Sequence, residues 1–94
     1  MKSYYLSKSS RKDKKYMIKS VGGKIIHFGQ FGASDYTIHH DEDRKKRYIL
    51  RHSSENFNNL TTASAWSRWI LWNKPSLNDA IKSMERRFGI SIIY

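Results

Sequence analysis

Cationic side chains that could bind phosphate are concentrated in two segments of the sequence. The segment 7–15 holds five cations and one anion among nine polar residues, and the segment 44–51 holds five more cations. Lysine and arginine form charge-assisted hydrogen bonds with phosphate oxygens, so both segments are candidates for a nucleic-acid-binding surface. The candidate residues are the five cations of the first segment, four of the second and two further cations: Lys8, Arg11, Lys12, Lys14, Lys15, Arg44, Lys45, Arg47, Arg51, Arg68 and Lys74.

Both segments also have a plainer interpretation as solvated charge. A basic run such as 7–15 is often an exposed arm or loop with no partner. In a helix, Arg44, Arg47 and Arg51 would share one face, and an acid at position 43 could pair with Arg47 four residues later. The arginine stripe is therefore either a phosphate-binding face or a solvated face paired with nearby acids.

The overall charge favours a negatively charged partner. The 94 residues include 18 Lys and Arg against 8 Asp and Glu, a formal net charge of +10, which exceeds what solubility alone requires. Nucleic acid, an anionic membrane surface and an acidic protein face all fit this charge. We expect nucleic acid, with DNA favoured over RNA, and no membrane partner. No apolar stretch is long enough to span a bilayer.

Catalytic chemistry has little support in the sequence. Cysteine is absent, which excludes disulfides and thiolate metal sites. The glycine-rich phosphate and dinucleotide motifs and the H-E-x-x-H zinc motif are absent too. Histidines and aspartates at 27, 35, 39–41 and 52 could in principle bind a divalent metal, but their spacing fits no known template. We therefore predict no enzyme activity, no metal and no cofactor.

Three tryptophans, Trp66, Trp69 and Trp72, lie within seven residues. In a domain this small they are expected to form the core, because few other large side chains are available for packing. The alternative is an exposed aromatic platform on which bases stack.

The elements that must position these side chains indicate one small α+β domain. We predict a compact domain over 16–94, preceded at 1–15 by a basic N-terminal arm or edge strand. Two β-prone runs around Gly22-Gly23 predict a hairpin over 16–28. The fold class is a small antiparallel hairpin or three-stranded sheet packed against three helices.

Capping signals predict where those helices begin and end. Acidic residues at 41–43 precede the basic segment 44–52, in the order that complements a helix dipole. Thr61 or Thr62 could cap a second helix reaching about Asn73. A third helix is expected from Ser76 to a stop at Gly89. Residues 91–94 could form a last edge strand or a tail that docks on a partner.

Four segments, 27–29, 34–39, 44–52 and 67–75, resemble a small basic domain family of unknown function encoded by giant nucleocytoplasmic large DNA viruses. They read HFG, SDYTIH, RKKRYILRH and SRWILWNKP, and the resemblance covers roughly 14 to 88. It implies a viral protein located in the virion, or in the cytoplasm or nucleus of the infected host cell. It brings no catalytic residues.

Two functions follow as expectations. The first is a non-enzymatic viral nucleic-acid-binding protein that contacts the phosphate backbone and helps organise or package the viral genome. The alternative is a structural interaction module of the virion, a minor capsid or inner-shell component, that binds acidic virion proteins. A homodimer, which would double the charge, is compatible with either.

Overall fold

The computed structural model describes residues 2–94, which form four strands and four helical segments. In chain order these are β1 (Lys2–Lys8), β2 (Lys14–Ser20), β3 (Ile25–Gln30), α1 (Tyr36–His39), α2 (Glu42–Arg51), α3 (Ala63–Trp66), which continues as a π-helical segment (Ser67–Leu71), α4 (Leu77–Phe88) and β4 (Ile90–Ile93). The predicted α+β class is confirmed.

The four strands form one mixed sheet in the order β3-β2-β1-β4, with β4 parallel to β1 and the other pairs antiparallel. The sequence predicted an arm or edge strand at 1–15, whereas Lys2–Lys8 is an inner strand with a neighbour on each side. Its position follows from burial, because Leu6 is in the core and Tyr4 packs against it. Met1 of that segment lies outside the described residues.

Two further strand predictions are settled by the sheet. The hairpin is present as β2 and β3, closed by a turn in which Ser20 N donates to Lys24 O at 2.9 Å and Gly23 has φ of 89°. Of the two alternatives for 91–94, the edge strand is present, as β4 covers Ile90–Ile93 at one edge of the sheet.

The three longer helical segments begin near the predicted positions, and a side chain caps each of them. Asp41 accepts from Asp43 N and Arg44 N at the start of α2, Thr62 accepts from Ala65 N at the start of α3, and Ser76 accepts from Asp79 N at the start of α4. These side chains satisfy amide groups that have no intrahelical partner. Gly89 ends α4 with φ of 62°, a left-handed conformation that glycine adopts without strain.

The core lies between the sheet and the helices, and two of the tryptophans are at its centre. Trp66 and Trp69 are 0% and 8% exposed, and their indole N–H groups donate to Leu60 O and Phe57 O at 3.0 and 2.7 Å. The core interpretation is confirmed for these two.

Within residues 2–94 no helix is long and apolar enough to cross a membrane.

Candidate functional site

A groove of about 470 Å³ lies where the β2–β3 end of the sheet meets α2 and the helix that starts at Ala63. We call it the basic groove, because five of its lining side chains are cations or histidine: Lys14, Lys15, Arg44, Arg51 and His52. The structure thus brings two predicted cations of the segment 7–15 together with two of the arginine stripe.

Helix α2 presents one of its faces to the basic groove. Arg44, Tyr48 and Arg51 lie four and three residues apart, so they occupy the same side of the helix, and all three line the groove. Arg47, which the sequence placed in the stripe, is exposed and lies outside the groove lining. The stripe is therefore only partly directed at this surface.

Aromatic and apolar side chains form the interior of the groove. Tyr48 and Trp72 stack with ring centroids 4.4 Å apart and planes within 4°, next to the buried side chains of Phe28 and Leu71. Burial raises the pKa of Tyr48 to about 12. The phenol therefore keeps its proton at neutral pH and remains a hydrogen-bond donor.

The opposite wall is built by α3 and the π-helical segment. Trp72 N donates to Ser67 O at 3.2 Å, the five-residue spacing of a π-helix. Ser64, Ser67 and Leu71 of this wall line the groove, and the two serines add hydroxyl donors. Such segments are frequent at functional sites. The sequence periodicity gave no signal for the π-helical segment.

Lys15 is neutralised by a buried acid. Its Nζ lies 2.5 Å from Asp35 Oδ2, and the two side chains are 13% and 3% exposed. Asp35 also accepts from Thr37 N at 2.9 Å and caps α1. The pair ties β2 to α1 and supports the groove structurally, so Lys15 has little charge to offer a ligand.

Lys14, Arg44 and Arg51 are different, because none of them has an acidic side chain within salt-bridge distance among residues 2–94. His52 lies against Glu55. The groove therefore carries three uncompensated cations around an interior with hydroxyl donors. This arrangement suits an anion with several oxygens, such as a phosphodiester.

Other predicted cations are used within the fold. Lys45 Nζ donates to Asn73 O at 2.7 Å and lies 4.8 Å from the Tyr36 ring centroid; burial lowers its pKa. Arg68 donates to Trp72 O at 3.2 Å and packs over Trp69 at 4.4 Å. Both therefore contribute to packing more than to an open surface.

The remaining predicted cations lie outside the groove lining. Arg11 pairs with Asp13 at 3.1 Å in the β1–β2 turn, where Lys12 is exposed. Lys8 and Lys74 are exposed as well.

His39 lies beside the groove, and the hydrogen bonding of its ring is incomplete. Its Nδ1 accepts from Asp41 N at 2.9 Å, its ring lies 5.3 Å from that of Trp72, and its Nε2 is buried without a hydrogen-bond partner in the described part of the chain. Burial, and then the nearby Arg44 charge, lower the pKa of His39.

Between Lys2 and Tyr94 no three His, Asp or Glu side chains are grouped to hold a metal ion.

Comparison with known proteins gives one match. The model of a family described as a family of unknown function, DUF5754, matches residues 4–52, about half of the chain. This span holds most of β1 and all of β2, β3, α1 and α2, and so the cationic side of the groove. The searches of curated proteins and of solved structures each found no match.

Proposed function

Since this chain belongs to DUF5754, a family of unknown function, we propose its role from the basic groove: it is a non-enzymatic nucleic-acid-binding protein that contacts the phosphate backbone. The resemblance to proteins of giant DNA viruses extends this proposal to a protein that helps organise or package a viral genome, in the virion or in the infected cell. DNA is the favoured nucleic acid.

The observation that carries the proposal is the convergence of Lys14, Arg44 and Arg51 on one groove. Lys14 on β2 and Arg44 on α2 are 30 residues apart in sequence, and none of the three cations has an acidic side chain within salt-bridge distance among the described residues. Cations that line one groove are placed to contact several phosphate oxygens of the same polyanion. Phosphate contacts of this kind give affinity with little base specificity.

The remaining charge of the protein supports the same proposal. A net charge of +10 attracts a polyanion over long distances and speeds its association at low salt. Each neutralised phosphate releases condensed counterions, so affinity should fall steeply as salt rises.

A second candidate function is supported by the outer face of the sheet. Ile25, Lys19, Tyr5 and Ile93 pair directly across all four strands, and the three apolar members are each 48% exposed. Aromatic and apolar side chains with a central cation are common at protein interfaces. This row favours the structural module that binds acidic virion proteins.

The test is fluorescence anisotropy with labelled duplex DNA, single-stranded DNA and RNA over a series of salt concentrations. We expect the double variant R44A/R51A to bind roughly 10- to 100-fold more weakly than wild type near physiological salt. The slope of log K against log salt should become shallower by about 2 for duplex DNA, because two phosphate contacts are lost.

The matched control is K82A/R86A, which removes two exposed cations from α4 that do not line the groove. It should change affinity by less than about threefold, through net charge alone. Equal weakening in the two variants would reject the groove as the binding surface. No binding by folded wild type would reject the proposal and favour the protein-facing alternative.

A further inference from the structure

The side chain of Phe31 is 70% exposed in the short loop that follows β3. Gly29, two residues before Phe31, and Gly32, directly after it, have φ of 76° and 84°, left-handed conformations that glycine adopts without strain. The loop therefore presents a large aromatic ring to solvent.

The loop is fixed next to two cationic features. Phe31 N donates to Asp13 O at 3.0 Å, and Ala33 N donates to Gln30 O at 3.1 Å. The first bond joins Phe31 to the β1–β2 turn, which carries the exposed cations Arg11 and Lys12. The residues Gln30 and Ala33 line the basic groove, so Phe31 is placed at its border.

The tryptophans and Tyr48 are engaged in contacts within the fold. Tyr48 and Trp72 stack on each other. Trp69 is outside the groove lining and 8% exposed, and the guanidinium groups of Arg68 and Arg87 lie 4.4 and 3.9 Å from its ring centroid. Trp66 and Trp69 are therefore too buried to serve as a platform for bases, and Trp72 already stacks on Tyr48, whereas the ring of Phe31 is exposed.

We infer that Phe31 stacks on an unpaired base, so that the nucleic acid held in the basic groove is single-stranded. The inference rests on the proposed function and narrows its ligand. An aromatic ring beside phosphate-binding cations is the arrangement by which single strands are held without sequence preference, because every base offers an apolar face. In a duplex those faces are covered by neighbouring base pairs.

The experiment compares F31A with wild type on three labelled ligands of about 20 nucleotides: a thymidine strand, a duplex, and a strand of abasic sites with the same phosphates. Loss of one stacked base weakens single-strand binding roughly 10- to 100-fold. We expect that loss for F31A on the thymidine strand, with less than about twofold change on the duplex and the abasic strand. The variant F31W should bind the thymidine strand at least as tightly as wild type.

The matched control is L50A, because Leu50 is 72% exposed on α2 and does not line the groove. It should leave all three affinities unchanged, and thermal unfolding should show F31A and L50A folded. Unchanged thymidine-strand binding by F31A, or equal loss on all three ligands, would overturn the inference. If R44A/R51A still weakened binding in that case, the proposed function would stand; absence of wild-type binding to every ligand would reject both.

Discussion

Replacement of Asp35 by alanine is expected to lower the free energy of unfolding by about 3–5 kcal/mol, because it leaves the ammonium group of Lys15 buried without its counter-charge. The side chains of Lys15 and Asp35 are 13% and 3% exposed, and their charged atoms are 2.5 Å apart. The same change also removes the acceptor for Thr37 N at the start of α1. Chemical denaturation followed by tryptophan fluorescence measures the loss.

Two comparisons isolate the buried pair. D79A removes an exposed acid from the first turn of α4 and should cost less than about 1 kcal/mol, mainly through the helix dipole. In the D35A background, the further change K15M removes the unpaired charge and should recover part of the lost stability. A loss below about 1 kcal/mol for D35A, or no recovery in the double variant, would show that the pair does not stabilise the fold.

The second large effect is expected for Gly29→Ala, which should lower the free energy of unfolding by about 2–5 kcal/mol. Gly29 has φ of 76°, and an added Cβ would lie 2.8 Å from Leu71 Cδ1 and 3.2 Å from Lys15 Cβ. Leu71 is only 2% exposed, so it cannot move away without disturbing the core. The backbone strain and the overpacking therefore both lower the free energy of unfolding of this variant.

Gly32→Ala separates these two contributions. Gly32 has a similar φ of 84°, but no atom lies within 4 Å of its added Cβ, so only the conformational term of about 1–2 kcal/mol applies. Denaturation of both variants should give the larger loss at Gly29. Equal losses would contradict close packing between the β3 end and Leu71.

The helical part of the fold was predictable because its signals are local. The acidic cap at Asp41, the threonine at 62 and the Ser76 to Gly89 pattern each fix one helix end through nearby backbone groups. The position of β1 was not predictable, since its parallel partner β4 begins at Ile90, 88 residues after Lys2. Pairing over that distance leaves no local pattern, and a polar strand beside a basic turn resembles an arm.

The sequence could predict that the candidate site contains cations, but not which of those cations line the groove. The sequence identified the cations, and four of them line the groove: Lys14, Lys15, Arg44 and Arg51. It could not show that Lys15 is paired with Asp35 or that Lys45 and Arg68 are held by backbone carbonyls, because those partners are 20, 28 and 4 residues away respectively and depend on packing. Phe31 was missed because its exposure is a property of the folded loop.

The central claim is that the basic groove is the nucleic-acid-binding surface, and NMR chemical-shift mapping of the ¹⁵N-labelled protein tests it most directly. On titration with a single-stranded oligonucleotide, the largest changes should occur at the amides of the groove, including Lys14, Gly29 and Ser67, with little change at Lys82 and Arg86 on α4. Changes centred on the outer sheet face around Tyr5 and Lys19, or no changes at saturating oligonucleotide, would contradict the claim.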